Sequence, residues 1–114
     1  MKKAVTLKQN YEFRRLYNRG KSAVVPSMVV YCRKNNLQHN RFGFTVSTKL
    51  GGAVVRNRAR RRLREVCRLS APNTLQGYDL VVVARGKTLT TPFSALLHHY
   101  ERACRELHLW REQA

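Results

Sequence analysis

Residues 51–68 read GGAVVRNRARRRLREVCR, and the reading of this stretch sets the reading of the rest. Alanine, leucine, arginine and glutamate favour a helix, and the paired glycines mark its start. Val55, Ala59, Leu63, Val66 and Cys67 fall on one apolar stripe at helical spacing. At about 100° per residue, Arg56, Arg60 and Arg64 form a column along one edge of the stripe, and Arg58 and Arg62 a column along the other. Asn57, Arg61, Glu65 and Arg68 lie between the columns and face outward. One side is expected to dock on a core. The other presents guanidinium groups around a single amide. Like charges one turn apart repel. Solvated charged faces normally mix signs, yet Glu65 is the only acid here. An anion is expected to answer this face.

Composition agrees. The chain has 114 residues, 43% of them hydrophobic, a net charge of +17 and a pI near 11.1. The length suits one domain with a modest core, residues 1–114, and the charge is that of a nucleic-acid binder. No apolar run approaches a membrane-spanning length, and no apolar region follows the basic Met1-Lys2-Lys3, so the expected location is cytoplasmic, away from any membrane. The 3 cysteines, Cys32, Cys67 and Cys104, lie inside apolar patterns without paired spacing, as buried free thiols do.

Catalytic classes fall away. The 6 acids, Glu12, Glu65, Asp79, Glu101, Glu106 and Glu112, are scattered, with no pair for acid–base work and no cluster for a two-metal centre. Cys104 and His108 offer half a metal site at most. No serine or cysteine stands in a nucleophile elbow. The chain by itself is not expected to catalyse a reaction.

Outward from the arginine stretch, residues 1–9 read as a basic, weakly ordered lead-in. Asn10 is the expected N-cap of a helix through Arg19 that stops at Gly20. Phe13, Leu16 and Tyr17 share a face of it. Pro26 marks an edge or bulge. Met28, Val30 and Cys32 then alternate with Val29, Tyr31 and Arg33 as a half-buried strand. From Arg41 to Ser47, Phe42, Phe44 and Val46 point to the core; Arg41, Gly43, Thr45 and Ser47 point to an open polar face. Gly43 leaves room there for something to approach the backbone. Leu80–Ala84 is apolar throughout, a strand covered on both sides. Thr91 and Pro92 open a last helix to about Leu109, with Phe93, Leu96, Leu97, Tyr100, Cys104 and Leu107 as its stripe. The order α-β-β-β-α-β-α gives an α+β two-layer sandwich, a small mixed sheet with three helices.

The segment Lys49–Arg64, KLGGAVVRNRARRRLR, closely resembles the signature of the bacterial ribonuclease P protein component, centred on Arg56-Asn57-Arg58 and closing on Leu63-Arg64-Glu65. YEFRRLYNRG, Met28–Tyr31, RFGFTVSTK and Tyr78–Arg85 resemble the family's first helix and strands, so the resemblance covers essentially the whole chain. Thr48 departs from it, standing where the family often has a second basic residue.

The resemblance implies a left-handed βαβ crossover through the arginine helix, against the usual hand. It implies the protein subunit of a ribonucleoprotein endonuclease that removes the 5′ leader of precursor tRNA. The catalytic centre and most of the Mg2+ lie in the RNA, with no ion bound tightly by the protein. The implied partners are the catalytic RNA, met by Lys49, Arg56, Asn57, Arg58, Arg60, Arg61 and Arg64, and precursor tRNA, whose leader meets Phe13, Tyr17, Tyr31 and Arg33. No obligate protein partner is implied. Asn57 also matches a position associated with metal. A structural rRNA-binding protein of the same fold is the alternative, since fold alone does not fix role. A DNA-binding protein is a third reading, but no helix-turn-helix, zinc-finger or basic-zipper spacing is present.

Overall fold

The computed structural model describes residues 5–7 and 9–112. Its elements are β1 (Val5–Thr6), α1 (Asn10–Arg19), β2 (Lys21–Val25), β3 (Met28–Lys34), β4 (Arg41–Thr45), α2 (Ala53–Ser70), β5 (Tyr78–Ala84), α3 (Lys87–Thr90) and α4 (Phe93–Glu106). The expected α-β-β-β-α-β-α order is present, with a two-residue strand added in front and the single turn α3 before the last helix.

The sheet has 5 strands in the order β1-β4-β5-β3-β2. β4 and β5 run parallel and are joined through α2; β3 pairs antiparallel with β5, and β2 with β3. Pro26 stands in the β2–β3 turn, where its missing N–H costs no ladder bond. Register sorts the side chains into two faces. On one, Phe42, Leu80 and Cys32 align across the strands, then Phe44, Val82 and Val30. α2 and α4 pack there, burying Leu63, Val66, Leu96 and Tyr100. Each fully buried Val or Leu contributes roughly 1.5–3 kcal/mol.

The other face aligns Gly43, Val81 and Tyr31, then Thr45, Val83 and Val29. α1 crosses it, sealing Leu16 against Val81 together with Leu7. An ion cluster fixes the crossing. Arg41 grips Asp79 through two bonds of 2.8 and 2.7 Å and reaches Glu12 of α1 at 2.9 Å. The Asp79 hydrogen bonds, opposed by some desolvation, raise the Arg41 pKa above its ordinary value.

Several expectations change. Within the lead-in, Val5–Thr6 forms a parallel edge strand on β4 and Leu7 is buried, because apolar Leu7 has the α1 face to fill; residues 1–4 and 8 lie outside the described residues. The α1 N-cap is Gln9, whose N–H donates to Glu12 Oε1 at 3.1 Å; Asn10 is the first helical residue. Val55 leaves the α2 core stripe, which starts at Ala59: the first turn overhangs the sheet, and Val55 lies instead over Gly51. α4 stops at Glu106. Leu107 and Leu109 are both buried, which one helical stripe does not allow two residues apart, and His108 takes a positive φ between them. The tail folds back, with Leu75 N–H donating to the Leu109 carbonyl at 2.7 Å. No helix among the described residues is long and apolar enough to cross a membrane.

Candidate nucleic-acid interface

The arginine helix spends its charges unequally. Arg62 is a structural clamp: its Nε donates to the Thr88 carbonyl at 2.9 Å and its Nη2 to the Thr91 carbonyl. Arg68 pairs with Glu65, whose carboxyl is held below its ordinary range chiefly by that hydrogen bond. Arg56 is half-buried, with its Nε sealed and without a hydrogen-bond partner. Arg58, Arg61 and Arg64 are exposed and Arg60 half-exposed. None of these four has an acidic partner among the described residues. Arg60 donates to Asn57 Oδ1 at 2.9 Å, fixing the amide inside the basic face. Arg64 lies over the Phe44 ring at 5.8 Å.

The helix is introduced by a turn at Thr48–Leu50, where Ser47 Oγ accepts from Lys49 N–H at 3.1 Å and Lys49 is exposed. Gly51 has φ +145°, a conformation that other residues rarely adopt. Thus Lys49, Arg58, Arg60, Arg61 and Arg64 stand on one outward surface with Asn57, while Arg56 is partly withdrawn from it.

The second surface lies across the sheet. α1 covers the row Gly43–Val81–Tyr31 and leaves the next one open: Thr45, Val83 and Val29 are half-exposed, and Val24 of β2, their neighbour in register, is 60% exposed. Tyr17 leans over this strip. Its Oη lies 2.7 Å from Thr45 Oγ1, and its ring meets Tyr31 edge-on at 4.9 Å. The result is a shallow apolar trough rimmed by two tyrosines, with Tyr17 itself 38% exposed.

Two sequence expectations about this face are corrected. It is not open and polar: β3 and β5 contribute Val29, Val81 and Val83 to it, which a reading of β4 alone does not see. Nor does Gly43 make room for an outside group. A Cβ there would stand 2.6 Å from Phe13, so the ring of α1 already fills the space. Phe13 is therefore part of the packing beside the trough, between α1 and the sheet, while Tyr17 and Tyr31 border it. Arg33 shares their side of the sheet but pairs in register with Asp79, at the opposite flank of α1 from Thr45. The two surfaces meet at β4, where adjacent residues serve opposite sides, Phe44 under Arg64 and Thr45 under Tyr17.

Among the described residues no group of three or more His, Cys, Asp or Glu comes together. Glu12 and Asp79 are engaged by Arg41, and Glu101 and Glu112 by Arg105. Cys104 is buried while His108 is exposed beyond the helix end, so their four-residue spacing does not bring them to one side.

A family model described as Ribonuclease P matches residues 1–108. The chain is 42% identical over 111 residues to the ribonuclease P protein component of Caldanaerobacter subterraneus, covering 97% of this chain and 96% of the relative. It is 49% identical over 85 residues to that of Natranaerobius thermophilus, covering 75% and 74%. Among solved structures, the Staphylococcus aureus RNase P protein superposes with a TM-score of 0.82 at 31% identity, over 96% of this chain and 100% of that one. The RNase P protein from Thermotoga maritima gives 0.76 at 29% identity, over 83% and 90%.

Proposed function

The chain belongs to the ribonuclease P protein family, and from that premise we propose that it binds the catalytic RNA through α2 and the 5′ leader of precursor tRNA in the tyrosine-rimmed trough. Its role is tRNA processing as the protein subunit of a cytoplasmic ribonucleoprotein. Cleavage of the leader bond belongs to the RNA and its Mg2+, because the acids of this chain are dispersed and most of them are engaged by arginines.

The observation that carries the reading is the trough itself. A purely structural rRNA-binding protein needs a basic helix but no second groove with aromatic rims. An unpaired strand offers base faces that stack on tyrosine whatever the sequence, at about 1–3 kcal/mol per base. Tyr17 and Tyr31 take that work, with Phe13 packed beside them under α1 and Arg33 available to backbone phosphate on the far flank. Arg58, Arg60, Arg61 and Arg64, with Lys49 and Arg56, neutralise RNA phosphates, and Asn57 adds hydrogen bonding within that contact. Since mature tRNA lacks the leader, trough binding favours substrate over product. Phosphate neutralisation lowers the Mg2+ that the RNA requires.

Reconstitution with a bacterial ribonuclease P RNA tests this. At low Mg2+ the chain should stimulate leader removal from precursor tRNA, and Tyr31→Ala should weaken precursor binding while sparing mature tRNA. Absence of stimulation rejects the subunit role. Equal loss for both tRNAs rejects the trough as the leader site.

A further inference from the structure

On the α3 side of the arginine helix, the β2–β3 turn, the end of β5 and helices α2, α3 and α4 converge on two wholly buried polar residues, Ser27 and Thr88. Thr88 Oγ1 donates to the Ser27 carbonyl at 2.5 Å and accepts from Arg85 N–H at 2.9 Å. Ser27 Oγ and His99 Nδ1 share a hydrogen bond of 2.8 Å. Arg85 donates to the Val25 carbonyl at 3.1 Å, and Arg62 clamps the carbonyls of α3 from below. These bonds tie the β2–β3 turn, the end of β5, α3 and α4 together as one base. Around it Lys87, His98 and Arg102 are exposed.

Among the described residues none of the three forms an ion pair with an acid. Glu101, beside Arg102 in sequence, is drawn away by Arg105, and Glu106, one turn further on, forms no ion pair among the described residues. Burial first, and then the charges of Arg102, His98 and Lys87, hold the His99 imidazole below its ordinary pKa. The positive charge here is not paired among the described residues. It is also contiguous with the basic helix: Arg58 and Arg62 share one edge of α2, and Arg62 fastens that edge to α3, where Lys87 stands.

We propose that Lys87, His98 and Arg102 form a second phosphate-binding surface, continuous with the Arg58 edge of α2, that receives the backbone of a further helix of the catalytic RNA. The chemistry is charge complementarity on a hydrogen-bonded platform. It carries no base recognition and extends the RNA interface away from the leader trough. This rests on the reading of the chain as an RNA-binding subunit, and the test separates the two.

The double variant Lys87→Gln/Arg102→Gln, in the full chain, is titrated with a bacterial ribonuclease P RNA across a range of salt. Both side chains are exposed, so the melting temperature should not move. Each phosphate left without its cation makes the slope of log affinity against log salt shallower by about one, so a change of about two is expected. The preference for precursor over mature tRNA should be unchanged. Arg58→Gln/Arg61→Gln serves as the comparison. An unaltered slope in the first variant with a shallower one in the second overturns the platform and leaves the subunit role standing. Unaltered slopes in both overturn the RNA-binding reading itself.

Discussion

Tyr17 Oη and Thr45 Oγ1 lie 2.7 Å apart, a bond that ties α1 to β4 and holds the Tyr17 ring across the open strip of the sheet. Ring and hydroxyl therefore do separable things. Tyr17→Phe keeps the stacking face and removes one exposed hydrogen bond, worth about 0.5–1.5 kcal/mol, so precursor tRNA should bind within about tenfold of the parent. Tyr17→Ala removes the face, and precursor affinity should fall by roughly 1–3 kcal/mol with mature tRNA unaffected. Fluorescence titrations of both tRNAs check this. Alanine binding precursor as tightly as tyrosine would remove Tyr17 from the trough.

Arg41 holds α1 to the sheet through Glu12 and Asp79, whose side chains are only 11% and 13% exposed. Truncating it removes the cation that two largely buried carboxylates share. Arg41→Met should lower stability by about 2–4 kcal/mol, a little under the cost of breaking a fully buried pair. Urea unfolding reads it. A midpoint equal to the parent's would show that apolar packing of Leu16 and Phe13 alone positions α1.

Arg62 and Arg58 are one turn apart and look equivalent in sequence, but only Arg62 donates to the carbonyls of Thr88 and Thr91. Arg62→Gln should cost about 1–3 kcal/mol of stability through unsatisfied carbonyls and leave the salt slope for RNA unchanged. Arg58→Gln should do the reverse. Matched thermal melts and salt titrations distinguish them, and a slope change for Arg62→Gln would refute its assignment as a clamp.

Burial pushes the Cys104 thiol up to about 12, and raises Cys32 and Cys67 as well. A thiol with a raised folded pKa holds its proton more tightly in the folded state. The stability it supplies is whole below the unfolded value, about 8.5, and is lost as pH rises from there towards 12. Unfolding midpoints should therefore be flat in this respect up to about pH 8.5 and fall above it. A thiol reagent at pH 8 should leave the folded chain unlabelled and modify all 3 cysteines once urea is added. Rapid labelling of the native chain would contradict their burial.

Much of this was legible in the residues taken locally. The helical stripe Ala59, Leu63, Val66 and Cys67 is buried as its spacing demands, and Met28, Val30 and Cys32 alternate inward as a strand should. The basic face of α2 follows from the same arithmetic. What spacing did not disclose is which arginines are free. Arg58 and Arg62 are equivalent on a helical wheel, and only the return of the chain at α3, 26 residues later, consumes one of them. Lys87 was equally silent: His98 and Arg102 are one turn apart on α4, but Lys87 joins them only where α3 meets that helix.

Sequence by itself determined the longer elements, the sign of the charge and most of the core positions, because periodicity reports which residues share a side of their own helix or strand. Tertiary structure alone decided what covers the second side of the sheet. Phe13 fills the space above Gly43, α1 stops short of Thr45, Val83 and Val29, and Leu107 and Leu109 turn the tail back on itself. These outcomes depend on strand register and on packing between distant segments, and no local pattern encodes the distance between a side chain and a partner the chain has yet to bring to it.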